Sequence, residues 1–410
     1  MRRIGQTRLN MLISVCVMSS ILATAGWSQS LIWLGTLGGS ESEAYGVSAN
    51  GQVVVGRTFD ASGQLRAFRW TRDGGMQDLG TPGRARSSAF GVSADGSVVV
   101  GASDGRAFRW TVDGGMQDLG TLGGHYSEAL GISADGQVVV GGAQNAVGQW
   151  RAFRWTGDGG MQNLGTLGGE QSFAYGVSAN GSVAVGWAEN VSGWYAFRWT
   201  ADGGMQNLGT LPGFDYSSAA QGVSADGQVV VGYAFTNYGN ANAFRWTEAA
   251  GMQDLGTLNS NLNLAYGVSA DGSIVVGMAS ELLWLNPRAF RWTETGGMED
   301  LSLTFASLLN DGSVLWAARA ISPNGRYIVG VGSNAATRRL EAFLLDTGVR
   351  CAAHDGDVDN NRCVDDADLL AVLFAFGSTG SDLGRVDVNC DTVVDDADLL
   401  QVLFNFGSGC

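Results

Sequence analysis

The chain has 410 residues, 45 % of them hydrophobic and only 15 % charged, so it carries enough apolar content for a large core. All 24 basic residues are arginine and the formal net charge is −15, which excludes nucleic acid as a partner, because phosphate binding needs a basic surface. With only His125 and His354 present, histidine-based triads and histidine-rich metal sites are excluded as well.

In chain order, the first element is a secretory signal at residues 1–25. Arg2, Arg3 and Arg8 give the positive region, Met11 to Ala23 the apolar stretch, and Ala23-Thr24-Ala25 a small-residue cleavage motif. The apolar stretch is shorter than the about 20 residues of a membrane span. The expected location is extracytoplasmic, secreted or at a bacterial cell surface, with no transmembrane segment after cleavage; an uncleaved anchor is the alternative.

A pattern of roughly 45 residues then repeats. Its opening Gly-Val-Ser-Ala-Asp/Asn-Gly element starts at Gly46, Gly91, Gly131, Gly176, Gly222 and Gly267, and a seventh version runs from Ala320 to Gly325. Each copy continues with a β-branched run (Val53-Val54-Val55-Gly56 in the first), then Ala67-Phe68-Arg69-Trp70-Thr71, then Gly75-Met76-Gln77-Asp78-Leu79. These four short segments, punctuated by Asp-Gly and Asn-Gly, predict four strands per copy. Phe68 and Trp70 are two apart and share a face, as in five later copies, which suits face-to-face packing of sheets. The last copy ends after Ala342-Phe343-Leu344-Leu345 without its fourth segment, and that segment stands at the front as Ile32-Trp33-Leu34-Gly35-Thr36-Leu37. The expectation is an all-β fold over residues 31–348: a seven-bladed β-propeller closed by an N-terminal strand. An open solenoid is the alternative, but it gains nothing from pairing its two ends.

The Asp-Gly turns between the first two and last two strands recur almost unchanged, and tight-turn chemistry accounts for them. The connections on the opposite face vary, which is where a binding surface would sit. They carry Glu43, Arg84, Arg86, His125, Tyr126, Glu128, Glu170, Asp215 and Tyr216, together with Trp150, Trp187, Trp194, Tyr195, Tyr238 and Trp284. Drift of exposed loops and a glycan- or protein-binding mouth are both open explanations. The repeated Ala-Phe-Arg-Trp-Thr followed by Gly-Met-Gln-Asp-Leu-Gly-Thr-Leu-Gly-Gly resembles the HAF repeat of bacterial extracellular proteins, a resemblance that covers residues 31–348 and names no activity.

Residues 351–410 form a second domain with twelve Asp against Arg362 and Arg385. Asp357, Asp359, Asn361, Asp365 and Asp368 fall at positions 1, 3, 5, 9 and 12 of a loop, and Asp387, Asn389, Asp391, Asp395 and Asp398 repeat the arrangement. Position 7 would add the backbone carbonyls of Cys363 and Val393. Two twelve-residue loops of oxygen ligands predict two Ca²⁺ ions. Each loop leads into a predicted short helix, with Leu369, Val372, Leu373 and Phe376 in the first copy, Leu399, Val402, Leu403 and Phe406 in the second, and Gly377 or Gly407 to end it. Cys351, Cys363, Cys390 and Cys410 read as two disulfides; of three possible pairings we favour Cys363–Cys390 with Cys351–Cys410.

Residues 355–407 resemble a type I dockerin, the duplicated calcium module that binds cohesin domains. The resemblance implies a cohesin-like partner, ligand positions 1, 3, 5 and 12 as above, and a docking role for positions 10 and 11, here Asp366-Ala367 and Asp396-Ala397. The glycine expected at position 6 is Arg362 or Thr392, a departure that bears on affinity because that position normally needs positive φ.

No phosphate-binding or dinucleotide fingerprint occurs in a strand–helix context. A carboxylate pair drawn from Glu43, Glu128, Glu170 and Asp215 stays open as an acid/base site. The expectation is an exported, non-catalytic binding or scaffold protein whose propeller recognises a polysaccharide, cell-surface glycan or protein and whose calcium module docks it. The alternatives are a polysaccharide-degrading glycoside hydrolase or lyase, and a structural surface protein.

Overall fold

The structure, a computed structural model, describes residues 29–81, 86–214, 216–236, 238–281, 285–348, 356–358, 363–378, 386, 388 and 394–408. The expected signal at 1–25 lies outside them. Among the described residues no helix is long and apolar enough to cross a membrane.

The repeat region is propeller-like, built from four-stranded antiparallel sheets. β1 (Ser30–Trp33) precedes the first full copy, β2 (Gly38–Val47), β3 (Val53–Asp60), β4 (Leu65–Thr71) and β5 (Gly75–Asp78). The next sheets are β6 (Ser87–Val92) to β9 (Gly115–Asp118) through β7 (Val98–Ser103) and β8 (Arg106–Thr111), and β10 (Gly123–Ile132) to β13 (Gly160–Asn163) through β11 (Val138–Asn145) and β12 (Trp150–Thr156). Then come β14 (Ser172–Val177), β15 (Val183–Asn190), β16 (Gly193–Thr200) and β17 (Gly204–Asn207), followed by β18 (Ser217–Val223), β19 (Val230–Phe235), β20 (Ala241–Thr247) and β21 (Gly251–Asp254). After these lie β22 (Leu262–Val268), β23 (Ile274–Ser280), β24 (Arg288–Thr293) and β25 (Gly297–Asp300), and finally β26 (Val314–Ile321), β27 (Tyr327–Asn334) and β28 (Arg339–Asp346).

The repeat motif explains each sheet. In the first turn Ser48 Oγ donates to Asn50 Oδ1 and accepts from Val53 N at 3.0 Å, while Gly51 adopts φ 67°. Where the residue is Asp, as at Asp95, the hydroxyl of Ser93 donates to it at 2.5 Å and holds its carboxyl below the usual range. The first strand then bulges: Ala44 opposes Gly56 and Gly46 opposes Val55, leaving Tyr45 unpaired. The bulge presses the carbonyl of Glu43 onto Gly56, where a Cβ would sit 2.0 Å from it and 2.8 Å from the Phe68 ring. That is why Gly56 ends every β-branched run, and why the fully buried Phe68 lies beneath it.

Sheets pack face to face through these rings. Val53, Val55 and Ala67 of one copy meet Ala89, Val99 and Phe108 of the next. A relay of backbone bonds ties the turns together: Ala49 N to Ala94 O, Ala94 to Ala134, Ala134 to Ala179, Ala179 to Ala225, Ala225 to Ala270, and Ala270 to Pro323 O, at 2.9–3.1 Å. Pro323 has no N–H to carry the relay back to Ala49.

The two ends of the array meet. β1 pairs antiparallel with β28, Ser30 opposite Asp346 and Trp33 opposite Phe343, and Leu34 N continues the ladder to Ala342 O at 2.9 Å. β2 packs against β26 as well as β6, so the innermost strands contact one another in the cycle β2, β6, β10, β14, β18, β22, β26 and back to β2. Leu34, Val54, Phe68, Trp70, Tyr327, Val329 and Leu344 fill the joint. The longer last step is taken up by α1 (Leu301–Thr304) and a 3₁₀ turn at Ala306–Leu308. Leu301, Phe305 and Leu309 there pack against Leu315 and Phe343.

In the C-terminal region α2 (Asp366–Ala375) and α3 (Asp396–Phe404) contact each other around Val358, Val364, Val372, Val388, Val394 and Val402. The two halves exchange backbone bonds: Gly377 N to Val394 O, and Gly407 N to Val364 O, both 2.8 Å.

Candidate functional site

The bulge decides what faces the centre of the cycle. Its extra residue is Tyr45, Phe90, Leu130, Tyr175, Gln221, Tyr266 or Arg319 in successive copies, whereas the flanking Gly46-Val47 pair hardly changes. A central cavity of about 210 Å³ is lined by Tyr45, Tyr266 and Arg319 above glycines such as Gly176 and Gly222.

One side of the centre is charged. Glu43, on β2, has only 12 % of its side chain exposed and bridges the array's ends. It accepts from Arg319 Nε at 2.8 Å, from the Tyr45 hydroxyl at 2.6 Å and from Arg57 Nη2 at 3.0 Å. Arg319 also lies over the Tyr266 ring, 4.6 Å from its centroid. Burial alone would raise the Glu43 carboxyl, but the Arg319 charge, the Tyr45 hydroxyl and Arg57 outweigh it and hold it below its ordinary value. Burial, then the neighbouring Glu43 charge, push the Tyr45 hydroxyl far up. Beside Glu43 a cavity of about 110 Å³ opens between first and last copies, lined by Arg57, Phe59, Leu65, Trp316, Val331 and Leu340.

The other side is aromatic. Trp150 lies 4.8 Å from Phe173, Phe173 stacks on Trp187 at 5.6 Å, Trp187 meets Trp194 at 5.9 Å, and Trp194 meets Phe235 at 6.0 Å. Trp187 Nε1 donates to the Tyr175 hydroxyl at 3.0 Å. All five large rings of this run are half-buried, so the belt keeps open surface. Glu128, on β10 at the place Glu43 holds on β2, carries no arginine opposite it; Gly142 stands there, and burial pushes its carboxyl up.

Of the expected mouth residues, Trp150, Trp187 and Trp194 come together, and they do so on strands. Glu43 and Glu128 are also strand residues, whereas the varying connections had been expected to carry them, because β2 and β10 begin at Gly38 and Gly123. His125, Tyr126, Glu170, Tyr216 and Tyr238 are exposed. Tyr126 covers Gly105, and Glu170 N donates to Glu189 Oε2 at 3.1 Å. Arg84, Asp215 and Trp284 lie outside the described residues. Phe173, Tyr45, Tyr175, Tyr266, Arg57 and Arg319 were not expected; the signal that finds Tyr45, Tyr175, Tyr266 and Arg319 is the one variable residue ahead of each Gly-Val-Ser-Ala element or its seventh version at Ala320, whereas Phe173 and Arg57 carry no such signal.

In the acidic region Asp365 and Asp395 are helix N-caps, each reciprocated by the carboxylate three residues on. Asp368 takes Val358 N at 2.6 Å and Asp365 N at 2.9 Å, and both Asp368 and Asp398 are fully buried. Asp366, Ala367, Asp396 and Ala397 open the two helices. Asp359, Asn361, Asp387, Asn389, Asp391 and Val393 lie outside the described residues, and among those described no three metal-ligating side chains cluster. Cys363 is disulfide-bonded; Cys351, Cys390 and Cys410 lie outside the described residues. On the helices Phe374 and Phe404 are 87 % and 84 % exposed, at matching positions of the two halves.

No family model and no curated protein matches the chain. Solved structures do. Oligogalacturonate lyase from Vibrio parahaemolyticus superposes with a TM-score of 0.53 at 10 % identity, over 77 % of this chain and 93 % of that one. Two further likenesses are TolB from Acinetobacter baumannii (TM-score 0.44, 11 % identity, 73 % of this chain but 64 % of that one) and a TolB-like protein from Agrobacterium tumefaciens (0.45, 16 %, 66 % and 92 %). At these identities the likeness concerns the fold, a β-propeller.

Proposed function

We propose that this chain is an exported, non-catalytic recognition protein. It is a seven-bladed propeller, closed by β1, whose aromatic mouth takes a glycan, and it carries a dockerin-like module that binds two Ca²⁺ and docks on a cohesin-like partner. The observation that carries the glycan reading is the open aromatic run from Trp150 through Phe173, Trp187 and Trp194 to Phe235. Adjacent flat rings offer the apolar faces of sugars a platform, and the nearby polar groups can take their hydroxyls. The blade count is supported by the cycle of innermost strands and the β1–β28 ladder.

The donor set of the acidic region is made of carboxylates and amide oxygens, which fits a hard cation. Asp357, Asp359, Asn361, Asp365 and Asp368 would hold one ion, and Asp387, Asn389, Asp391, Asp395 and Asp398 the other, with carbonyls from Cys363 and Val393. Burial of Asp368 and Asp398 supports this, since a cation nearby offsets the cost of burying a carboxylate. The disulfides proposed are Cys363–Cys390 and Cys351–Cys410, and docking would run through Asp366-Ala367 and Asp396-Ala397.

A polysaccharide-degrading enzyme is the alternative: Glu43 and Glu128 are carboxylates at equivalent places on β2 and β10, the first held below its ordinary value against burial by Arg319, Tyr45 and Arg57, the second pushed up by burial. A glycan array with the calcium-loaded full chain separates these readings. Binding abolished by Trp187→Ala, without reducing-sugar release, is the expected result. Release of reducing ends would make the chain an enzyme, and neither binding nor turnover would leave a structural surface protein.

A further inference from the structure

We propose that the opposite end of the sheets carries a second, repeated site: clefts between neighbouring copies that take a carboxylate-bearing saccharide on the arginine of each Ala-Phe-Arg-Trp-Thr. This goes beyond the mouth and does not depend on it. Trp150 opens β12 at the mouth, whereas Arg154 sits near the strand's other end, beside the turn of the next copy.

These arginines are held in place. Arg154 Nε donates to Gly181 O at 3.1 Å, Arg198 Nε to Gly227 O at 3.0 Å, and Arg245 Nε to Gly272 O at 3.2 Å. Arg109 makes the same bond to Gly136 O at 3.4 Å, and Arg69 reaches Gly96 O through Nη2, also at 3.4 Å. Each bond crosses to the following copy and fixes a half-buried guanidinium in the seam. Among the described residues none of the five makes an ion pair. Burial accordingly pulls Arg69 below its ordinary value. Between the third, fourth and fifth copies a cleft of about 610 Å³ is lined by both Arg154 and Arg198.

The sixth copy shows what such an arginine accepts. In the first five the residue across the ladder is glutamine (Gln77, Gln117, Gln162, Gln206, Gln253); in the sixth it is Glu299, and Arg291 Nε donates to its carboxylate. The array thus carries one arginine with a built-in carboxylate and five without. The seventh copy has Leu344 at the position. A planar guanidinium with free donors matches a carboxylate in two-point geometry. The remaining lining points to a saccharide: Gln162, Asn180 and Ser182 offer both donors and acceptors to hydroxyls. Two carboxylates share the cleft, Asp202 and Asp226. Asp226 is engaged by Ser224 Oγ at 2.5 Å and Gln228 N at 2.9 Å, so the cleft is mixed in charge and suits a ligand bearing both carboxylate and hydroxyls.

The test is titration calorimetry of the full chain with a short glucuronate oligosaccharide. Gln162→Glu with Gln206→Glu installs the carboxylate that the sixth copy already tolerates, so folding is preserved. The double variant is expected to lose the binding in the cleft of Arg154 and Arg198, and Glu299→Gln to gain binding at Arg291. Absence of uronate binding, stoichiometry that ignores both changes, or equal binding of an oligoglutamate peptide at the same sites would each overturn the proposal. Neutral-glycan binding reads the mouth separately.

Discussion

Ser42→Ala tests how firmly the first and last copies are joined. Ser42 Oγ accepts from Ala342 N at 2.9 Å across the joint and donates to Gly35 O at 2.6 Å. Ser172 makes the same pair of bonds inside the array, from Ala152 N at 2.9 Å and to Gly165 O at 2.6 Å. Both hydroxyls are buried, and Ala342 and Ala152 have no exposed surface. Removing either hydroxyl strands a buried N–H, which costs about 1–3 kcal/mol. Taking about 2 kcal/mol, the folding equilibrium falls about thirtyfold. Urea unfolding of the two single variants, compared at equal denaturant slope, is the assay. Equal losses are expected. A loss for Ser172→Ala beside a change under about 0.5 kcal/mol for Ser42→Ala would refute a joint as tight as the interior seams.

Glu43→Gln breaks a buried pair with Arg319 and is expected to cost about 3–5 kcal/mol at neutral pH. The folded Glu43 carboxyl lies below its unfolded value, so its contribution is complete above about pH 4.3 and lost as pH falls through the folded value. The variant's thermal midpoint should therefore depend less on pH below about 4 than the parent's; an unchanged acid slope would contradict the pairing. For the acidic region, calorimetry on the full chain should report about two Ca²⁺, and Asp357→Ala with Asp387→Ala should abolish the signal. Undiminished binding in that double variant would rule the ligand set out.

The sheets were legible because one motif writes them seven times. Ser48, Asn50 and Gly51 specify the turn, and Phe68 the core, by local chemistry that repeats. The closing strand was legible because Ile32-Trp33-Leu34 copies a segment missing from the last repeat. The centre was not, because an unpaired residue inverts the alternation a strand would otherwise have. Tyr45 and Arg319 face inward only once the bulges between Ala44 and Gly46 and between Ala318 and Ala320 are known. Likewise Arg154 reads as an ordinary strand residue, and its bond to Gly181, 27 residues away, depends on how copies stack. The aromatic run had three of its members in view, Trp150, Trp187 and Trp194. Phe173, which joins Trp150 to Trp187, stands where other copies carry Glu43 or Glu128 and so offered no repeat signal.

Hydrogen exchange of the peptide covering residues 30–34 tests the closed array most directly. With Ser30–Trp33 laddered to Phe343–Asp346 and Leu34 N bonded to Ala342 O, its amides should exchange as slowly as those of β13, the equivalent edge strand inside the array. Exchange at the rate of an unstructured terminus would mean the ends do not hold each other.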